Sequence, residues 1–149
     1  MKTYLGAMGV SVFVIAVSGT SALSHEHATG IVKERMEIMK SIAKGMKAIS
    51  QRLKSKSDLA AIKVDAEAIA VQAPHIIDLF PKGSTQPPTE ARASIWQNWP
   101  DFESKVHALE IESDKLAKQN TDDFTALSAQ VQAVSQTCSA CHTKYRVKK

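Results

Sequence analysis

Residues 138–142 read Cys138-Ser139-Ala140-Cys141-His142, close to the C-terminal end of a 149-residue chain. Two thiols three apart followed at once by an imidazole form the C-x-x-C-H signature of covalent haem attachment. The thiols add across the haem vinyl groups and the imidazole becomes an axial ligand of the iron. On a helix, Cys138, Cys141 and His142 lie three and four residues apart, so all three project to one side. Other uses of a C-x-x-C pair fit less well. A zinc site needs further ligands, and the chain has no other Cys and no H-x3-H. A thioredoxin-like dithiol needs a βαβ setting, and no strand pattern surrounds the pair. A structural disulfide would leave the adjacent His without a role.

The pattern upstream extends the same helix. Phe124, Leu127, Val131, Val134, Cys138, Cys141 and Tyr145 recur at alternating steps of three and four. That is a heptad seam. The thiols share it with the apolar residues, so the cofactor belongs inside the protein. Thr121 is the expected N-cap, with Asp122 and Asp123 at the positive end of the helix.

Three more amphipathic segments precede it. Val32, Met36, Met39, Ile42, Ala43, Met46, Ile49 and Leu53 predict a helix from a Thr29 cap to about Leu53. Lys33, Lys40, Lys44 and Lys47 lie mostly on its other side, as a solvated face. Leu59, Ile62, Ala66, Ile69, Ala70 and Ala73 predict a second helix, capped by Ser57 or Asp58 and ended by Pro74. Residues 74–90 read as a Pro- and Gly-punctuated loop. Its Ile76, Ile77, Leu79 and Phe80 are too apolar for a free linker, so it should pack down on the bundle. After a short helical lead-in from Ala91 to Asn98, Pro100 suits the first turn of a third long helix. Trp99, Phe102, Val106, Leu109 and Leu116 are its stripe, to about Gln119. The two Trp are read as core filling rather than haem contacts. Four amphipathic helices, short links and one longer crossing predict an all-α, antiparallel, up-and-down four-helix bundle enclosing the haem.

Composition agrees. Aromatics are 5% of the chain and helix-forming residues abound. Residues 1–24 read as a signal peptide: Lys2, an apolar run from Leu5 to Val17, then Ala22-Leu23-Ser24 before a cleavage site. An uncleaved anchor is the alternative, but the run is short and holds Gly and Ser. No later segment is apolar enough to span a bilayer. Cleavage leaves residues 25–149 as one domain and lowers the formal charge from +4 to +3, since Lys2 is lost. That is no nucleic-acid signature. Export also suits haem attachment, and the bacterial periplasm is the expected compartment. At the new N-terminus, His25-Glu26-His27 could form a square-planar Cu(II) or Ni(II) site. A solvated terminus is the plainer reading.

The chain resembles the class II c-type cytochromes: cytochrome c-prime and its low-spin relatives, often called cytochrome c-556. The resemblance rests on Arg35-Met36-Glu37-Ile38-Met39-Lys40, Leu79-Phe80-Pro81-Lys82-Gly83-Ser84, Ile95-Trp96-Gln97-Asn98-Trp99 and Cys138 to Arg146 with its C-terminal haem motif. It implies an antiparallel four-helix bundle with one covalent haem c and its iron per chain, often as a homodimer pairing through the first two helices. It also implies roles. Met39 occupies the place facing the open side of the iron, a ligand in Met-ligated members and a Leu, Phe or unbound Met in cytochromes c-prime. Arg35 would lie near a haem propionate, and Arg146 matches the Arg placed beside the proximal His.

Two functions follow as expectations. With His142 and Met39 both on iron, the chain is a one-electron carrier, because thioether sulfur favours Fe(II) and raises the potential. With Met39 as plain core, the iron is five-coordinate beneath an apolar lid and binds NO or CO. His75 and His107 are read as surface residues. Lys144, Arg146, Lys148 and Lys149 would make the haem edge basic and favour acidic redox partners. A solvated tail is the competing reading. No Ser/His/Asp arrangement, carboxylate pair or phosphate loop suggests an enzyme.

Overall fold

The structure, a computed structural model, describes residues 28–147. The signal-peptide segment, His25, His27, Lys148 and Lys149 lie outside the described residues. Among those described are six helices: α1 (Gly30–Ser55), α2 (Ala61–Gln72), α3 (His75–Asp78), α4 (Ser94–Gln97), α5 (Trp99–Lys118) and α6 (Phe124–Tyr145). The four long ones form the bundle. Contacts between their ends fix the up-and-down order. Arg52, late in α1, pairs with Asp65, early in α2. Gln130, early in α6, donates to the carbonyl of Glu112, late in α5, at 2.9 Å. Lys144, at the end of α6, donates to Asp101, at the start of α5, at 2.9 Å.

The buried faces are those the periodicity demanded. Ile49, Ile62, Leu116, Leu127 and Val134 are fully buried in one core that takes residues from all four long helices. Where α1 meets α2, a β-carbon on Gly45 would come within 3.3 Å of Ile69 Cδ1, so a side-chain-free position admits the close approach.

Helix ends depart from expectation at three places. Thr29 precedes α1, but its side chain makes no capping hydrogen bond. At the α1–α2 link, Lys56 (φ 51) and Asp58 (φ 50) are left-handed. The Lys56 and Ser57 amides return to Leu53 and Arg52. Asp58 gives its carboxylate to Arg52 at 3.2 Å rather than capping α2, which starts three residues later. At α6 the cap is Asp123, not Thr121: its Oδ1 accepts from the Ala126 amide at 2.9 Å. Pro74 follows α2 and Pro100 sits in the first turn of α5, as expected.

The crossing between α2 and α5 packs down as its apolar residues require, and two turns of it are helical, as α3 and α4. Ile76 and Phe80 are buried. Its far end pairs with the end of α6 through an isolated antiparallel bridge, Ala91 to Arg146. No described helix is long and apolar enough to cross a membrane.

Candidate haem site

Helix α1 packs on α2, α2 on α5, and α5 on α6, whereas α1 and α6 scarcely meet. A cavity of about 600 Å³ lies along that seam, a size suited to a small-molecule cofactor. Its walls are largely apolar: Ile42, Ala43 and Met46 from α1, Phe102, Val106 and Leu109 from α5.

The α6 wall carries Cys138, Cys141, His142, Tyr145 and Arg146. Both thiols are half-buried against the core. Burial raises both thiols above their ordinary value, Cys141 to about 11, so at neutral pH they are protonated rather than thiolates. His142 is held below its ordinary value, first by desolvation and then by the charge of Arg146, with Glu90 opposing. The imidazole is therefore neutral at pH 7, the form that offers a metal a lone pair. Among the described residues no cluster of three or more His, Cys, Asp or Glu is placed to hold a metal ion.

The α1 wall brings Met39 and Arg35 to the same cavity. Arg35 is 95% shielded from solvent (5% exposed) and has only neutral acceptors. Its Nε and Nη2 donate to the Leu79 carbonyl at 3.0 and 2.9 Å. Nη2 also donates to Ser84 Oγ at 2.6 Å, and Nη1 to Thr89 Oγ1 at 2.8 Å. The guanidinium lies 3.9 Å over the Phe80 ring. Desolvation lowers its pKa, yet a guanidinium stays charged. A buried cation with no carboxylate in its hydrogen-bond set, facing a cavity, suits a ligand that brings carboxylates. The residues present therefore fit haem: two thiols, an imidazole and a thioether around an apolar space, with a buried cation for its acidic groups.

All six residues nominated from the sequence line this one cavity: Arg35, Met39, Cys138, Cys141, His142 and Arg146. Arg146 is also committed elsewhere, since Nε and Nη2 each lie 2.7 Å from Glu90 Oε2. His75 and His107 are exposed and do not line it. Neither Trp does so. Trp96 and Trp99 pack against the core and border a second cavity of about 430 Å³, with Phe80 as the wall common to both. Sequence reasoning missed Ser84, Thr89 and Glu90, which act through contacts 49 to 56 residues away along the chain. It also missed Asp101. The Tyr145 hydroxyl donates to Asp101 Oδ2 at 2.5 Å, and the Tyr145 ring meets Phe102 edge-on at 5.6 Å. The heptad register already placed Tyr145 on the seam, and a buried phenol calls for such a partner.

A four-helix bundle that presents paired thiols and a neutral imidazole to one apolar cavity is the architecture of a c-type haem protein. Residues 30–146 match the family described as Cytochrome C', and the chain belongs to that family, whose cofactor is covalently attached haem c with its iron. It is 38% identical over 72 residues to cytochrome c-556 of Agrobacterium tumefaciens (strain II Chrys), a match covering 48% of this chain and 58% of that relative. The matches thus span about half the length of the curated relatives. Cytochrome c' from Rhodopseudomonas palustris superposes with a TM-score of 0.75 at 27% identity, over 82% of this chain and 99% of that one. A nitric oxide complex of a cytochrome c prime variant from Alcaligenes xylosoxidans superposes with a TM-score of 0.70 at 28% identity, over 80% and 94%.

Proposed function

We propose that the chain is an exported, monohaem one-electron carrier with haem c held between α1 and α6. When bound, the haem supplies an iron that gains and loses one electron. In this reading Cys138 and Cys141 would hold the haem through two thioether links, and His142 would ligate its iron. Met39 would supply a second ligand. The observation that carries the reading is that Met39 on α1 and the Cys138–His142 group on α6 line one cavity where those helices part. A sulfur ligand is soft, favours Fe(II) and raises the potential. Arg35 supplies the counter-charge for the haem carboxylates from a site already fixed by Leu79, Ser84 and Thr89. Arg146 stands near His142, with its charge opposed there by its partner Glu90.

The reading includes residues 1–24 as an export signal, residues 25–149 as one domain, a periplasmic location, a protein redox partner and no enzymatic turnover. A homodimer through α1 and α2 would have Val64 and Val71 of α2 available, at 68% and 64% exposure.

A second reading has one specific support, the likeness to the Alcaligenes xylosoxidans nitric oxide complex. There Met39 is a wall residue and the open side of the iron binds NO or CO under apolar cover. The absorption spectrum of the oxidised protein separates the two. A low-spin spectrum that Met39→Ala converts to a high-spin one, with a reduced form that then binds CO, supports the carrier. A wild-type spectrum that is already high-spin selects gas binding. A low-spin spectrum unchanged by Met39→Ala rules Met39 out as the ligand.

A further inference from the structure

We propose that Lys40, Lys44 and Lys47 of α1, with Lys105 of α5, form the docking surface for an acidic face of a protein redox partner, at the mouth of the cavity. The proposal rests on the carrier reading and names the surface and the partner's chemistry. It starts from the lysine series of α1, which the site chemistry leaves unused.

Lys40, Lys44 and Lys47 stand at i, i+4 and i+7, so they form one ridge along α1. All three are exposed. Lys40 and Lys47 border the cavity from α1, and Lys105 borders it from α5. The ridge is therefore the rim of the cavity, not a remote solvated face. Its charge is uncompensated: among the ion pairs of the described residues, Lys40, Lys44 and Lys47 take part in none. The C-terminal cations described differ in this respect. Arg146 is paired with Glu90 and Lys144 with Asp101. Glu90 is the one acid among the residues lining the cavity, and Arg146 already engages it. Lys105 lies 3.9 Å from Asp101, so the unpaired charge at the mouth is that of the α1 ridge, where an incoming partner comes nearest the cavity. Such a charge selects a partner of opposite sign and speeds its approach.

An anionic membrane would answer the same charge, but the ridge lacks the rest of a membrane-binding face. A helix lying in an interface sets large apolar residues beside its cations. Among the described residues the large exposed apolar ones are Val64, Val71, Ile111 and Val147, and none is on α1. Nor does the ridge serve the cavity interior, where Arg35 is the buried cation.

The test uses the haem-loaded full chain. Titration with a decaglutamate peptide is followed by amide NMR shifts. Shifts centred on residues 40–47 and 105, abolished by high salt and by Lys40→Glu/Lys44→Glu/Lys47→Glu, support the surface. A control, Lys54→Glu/Lys63→Glu/Lys118→Glu, changes charge equally at the far end of the bundle and should keep the shifts. Shifts centred on the α6 end instead, or kept by the ridge variant, overturn it. So does anionic vesicle binding that the ridge variant loses while the peptide leaves the ridge unshifted. In stopped flow, the reduced protein passes one electron to hexacyanoferrate(III), giving hexacyanoferrate(II). The ridge variant should do so at least ~10-fold more slowly at low ionic strength, and the control variant less than half as affected. A cationic tris(phenanthroline)cobalt(III) probe should show no such loss. Equal rates for the ridge variant and wild type overturn the proposal. Failure of the wild type to pass an electron to either complex defeats the carrier reading itself, while the peptide map stands as a separate result.

Discussion

Arg35 and Ser113 are the two polar residues buried among the described ones, and they stand in opposite conditions. Arg35 is held through all three guanidinium nitrogens by neutral acceptors of one crossing segment. Ser113, late in α5, is fully buried and its Oγ has no hydrogen-bond partner. An unpaired buried hydroxyl costs stability, and Ala is the better helix former. Ser113→Ala is therefore expected to stabilise the protein by roughly 0.5–1.5 kcal/mol, read as a higher denaturant midpoint at unchanged m-value. A lower midpoint would mean that the hydroxyl is bound through a water. The motif residues Cys138, Cys141 and His142 were legible because their chemistry depends on spacing along one helix. Ser84, Thr89 and Glu90 were not, because nothing in their local sequence says what arrives from 49 to 56 residues away.

At the scale of elements, the crossing segment works as a strap. Arg35 fixes it to α1 at Leu79, Ser84 and Thr89. Its other end is fixed to α6. The Arg92 amide donates to the Tyr145 carbonyl at 2.9 Å, the Val147 amide to the Glu90 carbonyl at 2.8 Å, and Arg146 pairs with the Glu90 side chain. Each tie reaches a helix that lines the cavity. Glu90→Gln keeps the shape and removes the charge. The side chain of Arg146 is 52% exposed, so global stability should fall by no more than about 1 kcal/mol. Hydrogen exchange at Arg92 and Val147 should nevertheless quicken several-fold, because those amides depend on local closure. Exchange as slow as in the wild type would remove Glu90 from the strap. Helix existence was legible from period alone. Caps were less legible: the Asp58 carboxylate went to Arg52, Asp123 rather than Thr121 caps α6, and Thr29 makes no side-chain cap.

For the whole molecule, charge sets an acid limit. Asp101 accepts from the Tyr145 hydroxyl and from Lys144, which hold its carboxyl below the ordinary 3.8. Lys115 and then Gln130 hold Glu112 below the ordinary 4.5. A carboxyl with a depressed folded-state pKa contributes stability above its unfolded value and loses it as pH falls through the folded one. Stability should thus drop as pH falls below about 4, where both carboxyls take up protons they shed on folding. Asp101→Asn should flatten that slope while lowering stability at pH 7. An unaltered slope in the variant would show that Asp101 carries none of it. What the sequence alone determined is the set of local, periodic facts. These are four helices, the faces they bury and the haem motif on the seam of the last, all of which follow from repeats of three and four residues and from bond chemistry within one turn. Tertiary structure decided which two helices part to make the cavity, what holds Arg35 and Arg146, and which lysines border the opening. Those depend on groups brought together from distant points of the chain, and no local spacing records them.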